Sequence, residues 1–209
     1  MRSPKLERAK QAYTGEARRL AAQSMAQLEE AKVTPDALTV SGVGLCIAGS
    51  VAVWFEYAGW GFYWIGAVLF VVGSILDILD GALARSRGIG SPFGAFLDST
   101  VDRVGEGFMI GSIGLVLMRH DRMWGVALSF AAIAGSFLVS YARARAEALG
   151  LRGDVGLGSR AERVVVITAG LVLAPWGVLP WAIALLGATA WVTVCQRVLH
   201  VRRQLRDRT

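Results

Sequence analysis

Charge is scarce in this chain: Asp, Glu, Lys and Arg make up 18% of its 209 residues, against 54% hydrophobic. An ordinary soluble domain carries about 25% charged residues. The shortage, with a mean hydropathy of +0.48, argues against a soluble enzyme and for a membrane protein. Only two cysteines and two histidines are present. Cys46 and Cys195 both fall inside long apolar runs, where a disulfide or metal pair is improbable and a small buried apolar residue is the expected role. Lys5, Lys10 and Lys32 are the only lysines, so arginine supplies 19 of the 22 basic residues. No signal peptide is expected, because the first 32 residues are polar and charged and hold no short apolar core or cleavage-like site. Internal repeats and low-complexity segments are lacking too.

What is present is a series of apolar runs of spanning length. Six are read, near 37–57, 61–84, 92–118, 122–146, 163–179 and 180–200. The expected fold is an all-α integral membrane protein of six transmembrane helices, preceded by an amphipathic interfacial helix in residues 1–32. There Tyr13, Ala17, Leu20, Ala21, Ser24 and Leu28 share one face and charges take the other. The expected organisation is 1–32 as that helix, 33–203 as the transmembrane domain and 204–209 as a tail.

The net charge of +6 reads as topology rather than as affinity for nucleic acid. Basic residues crowd into 1–32, the 85–90 loop, 143–163 and the segment from Arg197 onward, while the alternate turns are nearly free of them. That alternation fits six helices with both termini in the cytoplasm. Trp54, Tyr57, Trp60, Tyr63 and Trp64 mark the first outer turn, and Trp124 and Trp176 lie near the other two.

Against this background, residues 75–103, ILDILDGALARSRGIGSPFGAFLDSTVDR, carry four carboxylates: Asp77, Asp80, Asp98 and Asp102. An Asp at mid-helix in a membrane costs about 2.5–3.5 kcal/mol, so these acids need a reason. Asp77, Asp80, Gly81, Ala84 and Arg85 follow i, i+3, i+4, i+7, i+8 and line one helix face. Gly94, Asp98 and Asp102 follow i, i+4, i+8 on the next. The short connection predicts antiparallel neighbours whose carboxylates converge at the cytoplasmic end. Four such anions must be protonated or neutralised. Oxygen-only ligands suit Mg²⁺, Mn²⁺ or Ca²⁺, and two divalent ions balance four carboxylates. Such a site polarises a phosphoryl group for displacement. Gly81 and Gly94 leave room for a bulky ligand, and Arg85 complements a phosphate or a neighbouring acid. A proton or ion pathway, and simple pairing with nearby arginines, remain alternative readings of the same acids.

Written as D77-x2-D80-G81-x2-A84-R85-x8-G94-x3-D98-x3-D102, the stretch resembles the signature of the CDP-alcohol phosphotransferase family at all eight fixed positions. The resemblance implies displacement of CMP from a CDP-linked donor, usually CDP-diacylglycerol, by the hydroxyl of an acceptor. It implies metal ligation by Asp77, Asp80, Asp98 and Asp102, with Mg²⁺ or Mn²⁺ as the two ions and Asp102 as general base. It assigns Asp77, Gly81, Ala84, Arg85 and Gly94 to the cytidine-diphosphate site. Pro35, Asp36 and Thr39 resemble the family's P-[ND]-x-x-T nucleotide element, and Ser91 stands where relatives often carry Thr. The segments S140-Y-A-R143-A-R145-A-E147 and R160-A-E-R163 resemble the branch of bacterial phosphatidylinositol-phosphate synthases, which use inositol phosphate. That resemblance implies an acceptor-phosphate pocket of Ser140, Arg143, Arg145, Arg163 and Arg197. Arg143 departs from an expected Lys and Ala161 from an expected Pro.

The function implied is phospholipid synthesis: phosphatidyl transfer from CDP-diacylglycerol to inositol 1-phosphate, giving phosphatidylinositol phosphate and CMP. Glycerol 3-phosphate or another alcohol is the alternative acceptor, and an ion- or proton-coupled transporter the distant alternative. The implied setting is the plasma membrane of a bacterium, with both termini and the active site cytoplasmic and a homodimer as the expected assembly.

Overall fold

The computed structural model describes residues 34–206. The expected interfacial helix lies outside the described residues. Those described fold into six α-helices and no strand: α1 (Pro35–Trp54), α2 (Gly61–Ser86), α3 (Pro92–Arg119), α4 (Met123–Ala148), α5 (Arg160–Val172) and α6 (Leu179–Arg206). Single 3₁₀ turns, Phe55–Ala58 and Ala174–Trp176, follow α1 and α5.

Two helices that shape the later site start the same way. Thr34 caps α1 by accepting from the Ala37 N–H, with Pro35 in the first turn, and Ser91 caps α3 by accepting from the Gly94 N–H, with Pro92 in the first turn. A hydroxyl followed by proline satisfies one orphan donor and removes another. At α5 the cap is reciprocal: Ser159 Oγ accepts from the Glu162 N–H, and the Glu162 carboxylate accepts from the Ser159 N–H.

α1, α2, α4 and α6 are long and apolar enough to cross a membrane. α3 is 28 residues long but carries Asp98, Asp102, Arg103 and Glu106 between its start and its midpoint turn. α5 has 13 residues, about 20 Å of helix against a hydrocarbon core of about 30 Å. The expected apolar run 163–179 therefore breaks: the helix stops at Val172, and Pro175 sits in the 3₁₀ turn that follows.

α1 is the central element. It packs on α2 along most of its length and also on α3. A Cβ on Gly42 would lie 2.8 Å from the Gly73 carbonyl oxygen, and one on Gly49 2.9 Å from that of Gly66. Only glycine permits this approach, and in a membrane such backbone proximity replaces the hydrophobic drive as the source of helix association. The Ser112 hydroxyl adds an interhelical bond to the Ser50 carbonyl at 2.6 Å. α2 and α3, expected as packed neighbours, touch little, because α1 lies against both. α4 joins the bundle through α3 and α6, and α5 bridges α2 and α6. The apolar core, centred on Met109, Ile110, Ile113 and Val116 with Phe70, Ile167 and Ile183, occupies the half of α3 away from its acids.

The end opposite the acids is tied by a buried Glu56. It accepts from Arg119 at 3.1 Å and pairs with His120 at 3.3 Å, while the Arg119 guanidinium lies 3.9 Å from the Trp54 ring centroid. Cys46 is buried as expected, but Cys195 is exposed on α6. A lipid-facing helix surface is as apolar as a packed one, so hydropathy does not distinguish the two.

Candidate metal and nucleotide site

The carboxylates converge where the starts of α1, α3 and α5 meet the end of α2. Asp77 on α2 and Asp98 and Asp102 on α3 each offer an oxygen, and these oxygens lie within 4.8 Å of one another. The loose contact between α2 and α3 leaves the space into which the acids point. Asp80, one turn further along α2, is outside that set. It is 3% exposed and is held by the Thr39 hydroxyl of α1, which also lies 3.1 Å from the Pro35 carbonyl. Asp80 shares with Asp98 the wall of a neighbouring cavity of about 220 Å³.

That cavity gathers the expected nucleotide residues. Pro35, Asp36 and Thr39 border it from α1, Gly81, Ala84 and Arg85 from α2, and Ser91 and Gly94 from the start of α3. Asp77 faces instead a cavity of about 20 Å³ behind the acids, with Asp102, Glu106 and Arg160. Added Cβ atoms would sit 3.3 Å from Arg85 Nη1 at Gly81 and 3.2 Å from Ser91 Oγ at Gly94. The glycines thus keep the polar wall clear. Arg85 and Arg103 are the cationic neighbours of Asp98.

Two side chains, Arg160 and Glu106, were not legible as site members, and Arg163, expected at the acceptor phosphate, is engaged by the second of them. Arg160, at the start of α5, contacts Asp77 Oδ2 and lies 2.5 Å from Asp102 Oδ1. Arg163, one turn on, clasps Glu106 with Nε at 2.8 Å and Nη2 at 2.9 Å, and gives Nη1 to the Gly158 carbonyl at 2.9 Å. Glu106 continues the series Asp98, Asp102, Glu106 at i, i+4, i+8, a signal the sequence did contain. Two arginines at i, i+3 on α5 thus oppose this acidic face of α3. Glu162, whose carboxylate accepts from the Ser159 N–H at 2.7 Å, fixes the start of α5. Cys46, distant in sequence, also borders the small cavity, but it is not one of the converging ligands.

The expected acceptor residues are only partly assembled. Arg197 on α6 is buried, donating Nε to the Val155 carbonyl at 2.9 Å and Nη1 to the Val139 carbonyl. Arg143 and Arg163 are its cationic neighbours. Arg143 is exposed and donates to Glu147 at 2.8 Å. Ser140 is half-buried and Arg145 exposed, and neither is hydrogen-bonded or ion-paired to the other three. The loop after α4 is fixed on α6 by reciprocal bonds between the Arg152 backbone and the Gln204 amide, at 3.0 and 2.8 Å.

The donor set fits a divalent cation. Three carboxylate oxygens from two helices converge within a few ångströms, and hard oxygen ligands select Mg²⁺, Mn²⁺ or Ca²⁺ over softer metals. Residues 32–199 match the family model for CDP-alcohol phosphatidyltransferase. The phosphatidylinositol phosphate synthase of Mycolicibacterium smegmatis is 38% identical over 179 residues, covering 82% of this chain and 79% of that protein. The archaetidylinositol phosphate synthase of Methanothermobacter thermautotrophicus is 38% identical over 175 residues, covering 82% and 84%. Among solved structures, Mycobacterium tuberculosis phosphatidylinositol phosphate synthase with CDP-DAG bound superposes with a TM-score of 0.77 at 31% identity, covering 88% of this chain and 94% of that one. The same enzyme in complex with manganese and citrate gives 0.77 at 32% identity, covering 87% and 88%.

Proposed function

The chain belongs to the CDP-alcohol phosphatidyltransferase family, and on that premise we propose that it transfers a phosphatidyl group from CDP-diacylglycerol to inositol 1-phosphate, releasing CMP. The observation that carries this reading is the convergence of Asp77, Asp98 and Asp102 within 4.8 Å, beside a cavity bordered by Asp80, Gly81, Ala84, Arg85, Ser91 and Gly94.

In this reading the acceptor hydroxyl oxygen bonds to the phosphorus of the phosphatidyl group. The bond from that phosphorus to the bridging oxygen breaks, and the oxygen leaves with CMP. Asp77, Asp80, Asp98 and Asp102 hold two divalent ions, Mg²⁺ or Mn²⁺, which when bound neutralise the diphosphate and polarise the phosphorus. Asp102 takes the proton from the acceptor hydroxyl. Pro35, Asp36, Thr39, Gly81, Ala84, Arg85, Ser91 and Gly94 seat the nucleotide. Thr39 orients Asp80, and the glycines admit the ligand against the helix backbone. Ser140, Arg143, Arg145, Arg163 and Arg197 supply the positive field for the acceptor phosphate. Arg163 and Arg197 do so as buried charges whose donors largely serve the protein, which leaves Arg143 and Arg145 as the exposed cations of that group.

The setting proposed is the plasma membrane of a bacterium, with six spans, the fifth formed by α5 continued through the Ala174–Trp176 turn, both termini and the site facing the cytoplasm, and two copies forming a homodimer. The lipid donor enters laterally from the bilayer and the polar acceptor from the water.

CMP release by purified protein with CDP-diacylglycerol and Mg²⁺ or Mn²⁺ tests the proposal, with inositol 1-phosphate, glycerol 3-phosphate, free inositol and serine offered separately. Release only with inositol 1-phosphate is the expected result. Release only with another acceptor overturns the acceptor assignment and keeps the transferase. No release under any condition from folded protein overturns the enzyme itself.

A further inference from the structure

The two arginines of α5 that face the acids are not equivalent. Arg163 makes a matched pair: both oxygens of Glu106 accept from it, a third N–H goes to a carbonyl, and its side chain is 9% exposed. Arg160 reaches across two helices to single oxygens of Asp77 and Asp102, and its side chain is 32% exposed. Its approach to Asp102 Oδ1 is an ion pair without hydrogen-bond geometry, so that buried oxygen has a charged neighbour but no directed partner. A planar fork suits bidentate binding of one carboxylate. Bridging two carboxylates with undirected contacts is what a spherical cation does better.

Arg160 also sits on two of the three carboxylates of the converging set, Asp77 and Asp102. A guanidinium and a divalent ion on the same two carboxylates repel one another and draw on the same negative charge, and the ion brings twice the charge. Resting on the transferase reading, we propose that Arg160 competes with the divalent metal for Asp77 and Asp102, and that its displaced guanidinium binds a phosphate at the reaction centre. Arg163 is locked by Glu106, so Arg160 is the arginine of α5 free to make that exchange. A long side chain at the first residue of its helix, beside the Gly-rich 150–159 loop, has the reach and the solvent access to do so. The ligand chemistry is a phosphate oxygen, supplied by the diphosphate of the lipid donor or by the phosphomonoester of the acceptor. Arg suits it because the guanidinium forks onto two phosphate oxygens at once.

Competition has a readout independent of turnover. The full chain in detergent, without lipid donor, is titrated with Mn²⁺, and the free ion is followed by electron paramagnetic resonance for wild type, Arg160→Gln and Arg160→Lys. Removing a competing charge-assisted contact tightens Mn²⁺ binding, by about tenfold for Arg160→Gln, with Arg160→Lys between it and wild type. Unchanged or weaker binding overturns the proposal, as does a wild type that binds no Mn²⁺. If Arg160→Gln fails to fold, Arg160→Lys alone carries the test in the same direction. At saturating metal, CMP release then locates the displaced guanidinium. A rise of tenfold or more in KM for inositol 1-phosphate assigns it to the acceptor phosphate, and the same rise for CDP-diacylglycerol assigns it to the donor diphosphate. Unchanged KM for both overturns the phosphate role. Tighter Mn²⁺ binding in the variant alongside a wild type that releases no CMP supports the competition and overturns the transferase reading instead.

Discussion

Glu106 and Arg163 form the joint between α3 and α5, and breaking it has a calculable cost. Both side chains are about one-tenth exposed, and the carboxylate accepts two bonds, at 2.8 and 2.9 Å, from the guanidinium. Glu106→Ala leaves a buried guanidinium with only the Gly158 carbonyl, which it meets at 2.9 Å. Stranding one charge of a buried pair costs about 3–5 kcal/mol. At about 2–4 °C per kcal/mol for a chain of this size, the unfolding midpoint falls by on the order of 10 °C. Glu106→Met and Arg163→Met each strand a charge in the same way, whereas the double methionine variant removes the pair without stranding one, so it loses far less than the sum of the two single methionine losses. The assay is thermal unfolding of wild type, Glu106→Ala, both single methionine variants and the double variant in one detergent. If Glu106→Ala melts with the wild type, or if the losses simply add, the pair is not the buried contact described and α5 is positioned by something else.

Four further outcomes are expected. Asp102→Asn lowers CMP release by about 10²–10⁴-fold at saturating Mn²⁺ while the metal still binds; full turnover with metal bound refutes the base assignment. Chelation with EDTA abolishes release, and added Mn²⁺ or Mg²⁺ restores it; activity that survives chelation removes the metal from the mechanism. Thr39→Val takes away the hydroxyl between the Pro35 carbonyl and Asp80 and raises KM for CDP-diacylglycerol several-fold; an unchanged KM separates Thr39 from the donor site. Gly42→Leu places a Cβ 2.8 Å from the Gly73 carbonyl, forces α1 off α2 and costs about 1–3 kcal/mol of stability by unfolding; a wild-type midpoint refutes the close crossing.

Much of the site was legible because helical periodicity is a local property. The spacing of Asp77, Asp80, Gly81, Ala84 and Arg85 fixed one face of α2, and that of Gly94, Asp98 and Asp102 one face of α3, without knowledge of any third element. The larger cavity gathers Asp80, Gly81, Ala84, Arg85, Gly94 and Asp98 of these faces with Pro35, Asp36 and Thr39 of α1, while Asp77 and Asp102 border the small cavity behind it. Packing order was not legible: a short connection makes α2 and α3 antiparallel, but nothing in it reveals that α1 lies against both. Nor did hydropathy separate Cys46, packed against α2 and α3, from Cys195 on an exposed face, since lipid and core reward the same residues. Arginine is the hardest case, for a physical reason. Near one end of such a bundle it satisfies the positive-inside rule, neutralises a buried acid or binds a phosphate with the same side chain. Spacing cannot apportion those roles, whereas the count of committed donors can. Arg163 has three N–H groups directed at protein oxygens and Arg197 two, so both act first as architecture, whatever field they add. Arg160, ion-paired to two acids yet lacking a directed bond to Asp102, has its donors least committed to the fold. A residue quoted in the sequence only as part of a segment thus becomes the one whose chemistry depends most on what the carboxylates hold.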